Sequence, residues 1–232
     1  MNKKMNKKMN KKILVVAAHP DDEVLGCGGT IALHANAGNQ VQVIFLTDGL
    51  NSRANVEDID LIERKNAAIE ASKILGAVAP IFLNFPDNQM DSVPLIDVIK
   101  PLEKIIEKFK PDTVYTHFSG DLNIDHQITH KAVMTACRPL PNSSVREIFS
   151  FEVLSSSEWS PESYFKPNCF VDIDSVKEKK IASMKAYEAE FRAYPHSRSI
   201  EAVDALVSLR GSSVGLLAAE SFMLNRMLIS ID

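Results

Sequence analysis

Short β-rich runs alternate with helical patterns along the first 140 residues. Positions 13–17, 41–46, 80–84 and 113–116 read as strands, uniformly apolar and without the in-and-out alternation of a half-exposed sheet. Between them, 23–37, 58–75, 95–109 and 125–137 carry apolar residues at helical spacing, and Gly38 and Gly76 close the first two helices. Strand–helix alternation with strands apolar on both faces predicts an α/β fold: a Rossmann-like, doubly wound, mostly parallel sheet with helices on both faces. After Pro139 the pattern changes. Positions 148–154 and 169–173 read as two more strands, and 175–192, 199–209 and 214–227 as three closing helices. No linker-like stretch divides the chain, so 13–232 is expected to form one domain.

Charge changes the picture at one end. The formal net charge is −4, yet the opening MNKKMNKKMNKK holds six lysines, so removing those six positive charges leaves −10 for the rest. This repeat, residues 1–12, is low in complexity and is expected to be a disordered basic leader. The six apolar residues behind it, 13–18, are too few for a signal sequence or a membrane span. An acidic body also lacks the basic face that nucleic-acid binding requires. Cys27, Cys137 and Cys169 are far apart and never in CxxC spacing, which argues for idle thiols in a reducing compartment and a cytoplasmic protein.

The candidate chemistry is concentrated where the predicted strands end. In an open α/β sheet, ligands bind beyond the carboxyl ends of the strands. There the first strand is followed by His19-Pro-Asp21-Asp22-Glu23, and the fourth by THFSGDLNIDHQITH at 116–130. Imidazole with carboxylate suits zinc or a similar divalent ion. A catalytic zinc needs three protein ligands and a nearby base that is not a ligand. His19, Asp22 and one histidine of the second cluster supply the ligands, and Asp21 remains as the base. The VLGCGGT stretch resembles a cofactor-binding glycine loop, but such glycines must follow their strand directly. Here they fall a helical turn or two later, so Gly26, Gly28 and Gly29 are read as a helix face packed tightly against the sheet.

AHPDDEVLGCGGT resembles the signature of the LmbE-like (PIG-L) family of zinc-dependent N-deacetylases. NFPDNQMD at 84–91 is similar to that family's Phe-Pro-Asp segment and DLNIDHQIT to its second metal motif. YPHSRS at 194–199 and the ALVSLRGSSVGLLAAESFML that follows are similar to the tail of a bacterial subgroup. The likeness covers nearly the whole chain apart from the leader. It implies a Rossmann-like fold, a single Zn2+ per chain (or another divalent metal in its place), and removal of an acetyl group from an amino sugar. Carried over position by position, it makes His19, Asp22 and His126 the metal ligands and Asp21 the general base. The implied partner is a small amino-sugar substrate, with no nucleic acid and at most further copies of the same chain.

The sequence departs from the family at one point. Many members carry His-x-x-His in the second motif, and the first of these positions is Asn123 here. Asparagine donates a hydrogen bond but cannot serve as an acid near neutral pH. Either Asp21 does both proton transfers, or His196, from the YPHSRS loop, is the acid or oxyanion donor. His126 and His130, four apart, form a rival ligand pair, but Gln127 stands where a zincin has its glutamate, which favours His126 alone. Substrate contacts are expected from Arg64, Asp87, Arg198 and His117, with Asp48 or Asp87 also able to hold His126 in one tautomer. His34, inside the first helix, is expected to be structural. Two other classes compete: a non-catalytic metal or sugar-binding domain, which would lack the leftover base, and a nucleotide-dependent transferase, which would need its glycines at the strand end.

Overall fold

A computed structural model describes residues 10–52 and 57–230. Strand β1 (Lys12–Ala17) is buried on both sides: Ile13, Val15 and Ala17 enter one hydrophobic core, and Leu14 and Val16 enter another. The period of two along a strand explains why this run is apolar at every position. Then come α1 (Asp22–Asn36), β2 (Gln40–Thr47), α2 (Asp58–Leu75), β3 (Ile81–Phe85), α3 (Leu95–Phe109), β4 (Thr113–His117), α4 (Ile124–Ala136) and β5 (Glu147–Phe151). The last elements are β6 (Cys169–Asp172), α5 (Lys177–Lys185), α6 (Ile200–Ser212) and β7 (Ala219–Met227).

The seven strands form one sheet in the order β3-β2-β1-β4-β5-β7-β6. β1 to β5 run parallel to one another, and β7 runs antiparallel between β5 and β6. Val24, Ala68, Met184 and Val203 place α1, α2, α5 and α6 over one face. Val98, Leu102, Ile128 and Ala132 place α3 and α4 over the other. This is the doubly wound α/β architecture expected from the strand–helix alternation.

The C-terminal reading is corrected. Residues 214–227 are rich in good helix formers, yet they end in β7 and not in a helix. Gly215, at φ +79°, turns the chain after α6. β7 then pairs with β5 from Glu147↔Met227 to Phe151↔Phe222 and with β6 from Cys169↔Phe222 to Asp172↔Ala219. Insertion between two strands satisfies the backbone on both sides and buries Phe222 against Tyr115 and Phe149, which outweighs local propensity. The expected helix 175–192 is also shorter: α5 covers only Lys177–Lys185, between single 3-10 turns at Asp174–Val176 and Glu188–Glu190. Lys12, counted with the leader, opens β1 instead, its N–H donating to Asp112 Oδ2 at 2.8 Å. The leader as far as residue 9 lies outside the described residues.

Helix α1 is broken at Cys27 (φ −147°, ψ 24°). A buried ion pair fills the break. Lys180 Nζ donates to the carbonyls of Val24 and Leu25, both at 2.8 Å, and to Glu220 Oε1 at 2.6 Å. The Glu220 carboxylate accepts the N–H groups of Gly29 and Thr30 at 2.8 and 2.7 Å. One residue thus satisfies orphan carbonyls and the other orphan amides, as two helix ends require. A Cβ on Gly26 would lie 2.3 Å from the Phe151 ring, and one on Gly29 would lie 2.8 Å from Ile173. The packing role expected of these two glycines is met. Gly28 is under less constraint, since its Cβ would meet Lys180 Cγ at 3.4 Å. No helix among the described residues is long and apolar enough to cross a membrane.

Candidate active site

The strand order reverses at β1, which has β2 on one side and β4 on the other, and a crevice opens at their carboxyl ends. Into it run the segment 18–22 leaving β1, His117 at the end of β4, and the 118–126 loop and first turn of α4. Two clusters about a hundred residues apart in sequence therefore meet.

His19 Nδ1, Asp22 Oδ2 and His126 Nε2 form a triangle with sides of 3.2, 3.2 and 3.3 Å. Ligands at about 2.0–2.1 Å around a tetrahedral ion stand about 3.3 Å apart, so these three atoms are spaced as a shared cation would space them. All three side chains are buried, and Asp22 Oδ1 has no hydrogen-bond partner among the described residues. The electrostatics also call for positive charge here. Burial pushes the His19 and His126 pKa values down, yet Asp22, with Asp125 and Asp87 around His19 and Asp121 beside His126, raises them to about 10 and about 9. Burial likewise pushes Asp22 up, and the three imidazoles of His126, His117 and His19 outweigh it and hold Asp22 well below the usual carboxylate range. Two protonated rings do what a divalent cation would do in the same place, so the donor set fits a metal.

A second layer holds these ligands. Asp121 Oδ1 lies 3.1 Å from His126 Nδ1 and also accepts from the Ser156 hydroxyl, while Ser157 Oγ donates to Asp121 Oδ2. Burial would raise the Asp121 pKa, but His126 and the two serines bring it to about 2. The tautomer of His126 is thus set by Asp121 and not by Asp48 or Asp87. Asp48 accepts from the N–H groups of Leu50 and Asn51 within its own loop. Asp87 Oδ1 and Asp125 Oδ2 face His19 Nε2 at 3.3 and 3.2 Å. These two carboxylates with His19 make a second possible metal cluster, but their oxygens also accept from the Ser52, Asn88 and Met90 amides. They are orienting groups for His19, which leaves the first triangle as the better cation site.

Asp21 sits beside the triangle as the N-cap of α1, at φ 117°, a conformation disfavoured for a residue with a Cβ. Glu23 holds it there: Glu23 Oε2 accepts the Asp21 N–H at 3.0 Å, and Glu23 Oε1 accepts from Tyr187 OH at 2.6 Å. Burial pushes Glu23 up to about 8, against the Tyr187 hydrogen bond. Asp21 Oδ2 lies 2.9 Å from Arg198 Nη1 and 3.5 Å from Arg64 Nη2, and Oδ1 is buried without a partner among the described residues. Burial raises the Asp21 pKa, and the guanidinium groups of Arg198 and Arg64 oppose the rise. This is a carboxylate with one oxygen tethered and the other free to take a proton.

The cavity beside the triangle is lined by His19, Asp21, Arg64, Asn88, Asn123 and Arg198, with Gly49 at its edge. Asn123 N-caps α4, its Oδ1 accepting from Asp125 N at 2.8 Å, and its Nδ2 donates to Asn88 Oδ1 at 3.0 Å. His117 and Asp87 are not on the cavity wall. His117 is fully buried, stacked on His126 with 3.9 Å between ring centroids, and its Nε2 accepts the Ala18 N–H at 2.8 Å. Burial lowers its pKa to about 4, which suits an acceptor nitrogen. His196 lies outside as well: it is exposed, edge-to-face with Trp159, its Nδ1 accepting the Arg198 N–H at 3.0 Å. His130 Nδ1 is bonded to the His117 carbonyl at 2.9 Å, and His34 to Tyr115 OH and Asn39, so both are structural. Sequence reasoning missed Asp121, Asp125 and Glu23 as supporting groups. The only available signal was their position, two of them in the polar cluster after β4 and one beside Asp22.

The chain is similar to several deacetylases and to a hydratase. Residues 14–137 match the model of the PIG-L family, described as GlcNAc-PI de-N-acetylase. The "uncharacterized deacetylase YaiS" of Escherichia coli K12 is 35% identical over 186 residues, covering 76% of this chain and 90% of that protein. A diacetylchitobiose deacetylase of Thermococcus kodakarensis is 28% identical over 77% of this chain and 70% of its own length. A 4-oxalmesaconate hydratase of Pseudomonas putida is also 28% identical, over 74% of this chain and 71% of its own. Among solved structures, the N,N'-diacetylchitobiose deacetylase of Pyrococcus horikoshii superposes with a TM-score of 0.77 at 24% identity, over 94% of this chain and 85% of that one.

Proposed function

The chain belongs to the PIG-L family, and from that premise we propose that it hydrolyses the acetamido group of an N-acetylated amino sugar or sugar conjugate, with one divalent ion per chain held by His19, Asp22 and His126. Zn2+, or another divalent ion on the same ligands, supplies when bound a Lewis acid for the amide carbonyl and a lower pKa for water. Asp21 is the general base. Its untethered oxygen takes a proton from the attacking water as the water oxygen adds to the acetyl carbon. The same carboxyl then returns the proton to the amide nitrogen as the C–N bond breaks, so acetate and a free amine leave. Asp21 in both roles removes the need for the acid that Asn123 cannot be. Asn123 Nδ2 and the Arg198 guanidinium are the donors on the cavity wall that can stabilise negative charge developing on the carbonyl oxygen. Arg64 holds Glu190 at 2.6 Å and, with Arg198, keeps the charge of Asp21 balanced.

One observation carries this reading: a three-atom cation site stands beside a buried carboxylate that is not part of it and has one free oxygen. A non-catalytic binding domain has no use for that carboxylate, and a nucleotide-dependent transferase would need the glycines that are here packed on Phe151 and Ile173. Acetate release from N-acetylglucosamine and its glycosides, with metal content measured in parallel, is the test. Asp21→Asn is expected to keep the metal and lose roughly 10²–10⁴-fold in turnover. Zinc-loaded protein that releases no acetate from any N-acetyl sugar would overturn the reading, and so would metal loss in Asp21→Asn.

A further inference from the structure

Tyr187 is one of the largest fully buried side chains of the protein, and it touches both elements that support the general base. It is no part of the cation triangle and does not line the cavity beside it. We propose that Tyr187 is the positioning residue of Asp21: its hydroxyl fixes the Asp21 backbone through Glu23, and its ring steadies Arg64 beside the Asp21 carboxylate. This inference rests on the deacetylase reading above.

Tyr187 follows α5 directly, its N–H donating to the Met184 carbonyl at 2.9 Å. From there its hydroxyl reaches α1 and donates to Glu23 Oε1 at 2.6 Å. The other oxygen of that carboxyl group accepts the Asp21 N–H at 3.0 Å. The ring faces α2, with the Arg64 guanidinium 5.5 Å from its centroid. Arg64 Nη2 lies 3.5 Å from Asp21 Oδ2, and Nη1 lies 2.6 Å from Glu190 Oε1. The Glu190 N–H in turn donates to the Tyr187 carbonyl at 2.8 Å. One short turn, 187–190, therefore reaches the base from its amide side and from its carboxylate side.

Asp21 is held at φ 117°, where a residue with a Cβ stays only if its surroundings over-determine it. That strain and a well-made hydrogen bond are of the same order, so the bond from the Asp21 N–H to Glu23 weighs heavily in the balance. Both contacts of Glu23 use the oxygens of one rigid carboxyl group, which ties them together. Without the Tyr187 hydroxyl, Glu23 loses the donor on Oε1 and can turn about its last side-chain bond, which releases the Asp21 N–H. A catalytic group misplaced by about 1 Å costs about a hundredfold in rate, so a bond made behind the base is felt in kcat. The ring adds a second hold. A guanidinium over an aromatic face is attracted to it, most strongly away from water, and Arg64 is buried.

Tyr187→Phe keeps the ring over Arg64 and removes only the hydroxyl. Acetate release from the N-acetyl sugars named above, zinc content, and amide hydrogen exchange read by mass spectrometry are compared between this variant and wild type. Tyr187→Phe is expected to lower kcat about 10–100-fold with KM and zinc content unchanged. In the metal-free protein the amides of residues 21–24 should exchange faster, while those of the strands keep their rates. Combined with Glu23→Gln, Tyr187→Phe should cost little more than Glu23→Gln alone, because both act along one chain of bonds. Wild-type kcat in Tyr187→Phe, or losses that multiply in the double variant, would overturn the inference. So would faster exchange spread across the core with zinc loss, which would make Tyr187 a packing residue only. If the wild-type protein releases no acetate, the deacetylase reading fails, while exchange at residues 21–24 still decides whether Tyr187 holds Asp21.

Discussion

Arg198 Nη1 lies 2.9 Å from Asp21 Oδ2, across 177 residues of sequence and directly beside the cation site. The contact opposes the rise in pKa that burial imposes on Asp21. Removing the guanidinium leaves burial less opposed, so the Asp21 pKa moves further up. Arg198→Ala is therefore expected to shift the acid limb of the kcat/KM profile to higher pH and to lower kcat/KM about 10–100-fold, with metal content unchanged. Arg198→Lys should recover part of both effects. An acid limb that stays in place in Arg198→Ala would mean that Asp21 is not the group titrating there.

The metal is expected to exchange with protons. In the metal-free chain His19 and His126 have pKa values raised to about 10 and about 9, above the ordinary histidine value of 6.5. Groups raised in the folded state contribute stability that is complete below pH 6.5 and lost as pH rises through 9 to 10. The chelated protein should therefore lose melting temperature over that window. Added Zn2+ should restore it, with proton release on binding near neutral pH. His19→Ala and Asp22→Ala should each abolish the zinc-dependent rise. Full zinc stoichiometry in both variants would refute the ligand assignment.

His196 bonds to the Arg198 backbone and faces Trp159, outside the metal cavity. In that position it acts through Arg198. His196→Ala is expected to reduce kcat/KM by only about 3–10-fold, within the range for one lost neutral hydrogen bond. A fall in kcat of a hundredfold or more, with metal retained, would instead make it the acid of the reaction and require the 193–199 loop to carry it over Arg198.

The buried pair of Lys180 and Glu220 predicts a stability signature. Glu220→Gln or Lys180→Met alone leaves one partner charged and desolvated inside the break of α1, at a cost of about 3–5 kcal/mol in denaturant unfolding. The double variant Lys180→Met/Glu220→Gln is expected to lose less than the sum of the two single variants, because no buried charge is then left unpaired. Single variants within 1 kcal/mol of wild type would show that the pair does not hold the break.

Much of the site was legible in the local sequence because its chemistry is local. A strand apolar at every position must be buried on both faces, which makes the sheet parallel and places its exit segment at the ligand crevice. His19, Asp21 and Asp22 lie within that segment. His19 and Asp22, three apart, meet side chain to side chain at 3.2 Å, while Asp21 between them turns aside to Arg198. The glycines behind them were legible for the same reason, their distance from the strand. Tertiary structure alone decided the rest. Residues 214–227 have helix-forming composition and still form a strand, because the open edge of β5 offers backbone partners that no local pattern reveals. Asp121, Asp125 and Glu23 became supports because of what packs against them, and a buried carboxylate takes its role from its neighbours. His117 and Asp87, expected to face substrate, were drawn behind the ligands by the same packing. Burial in a low-dielectric interior makes an unpaired polar group so costly that each is fixed by its partner in space, and those partners lie up to 191 residues away in the chain.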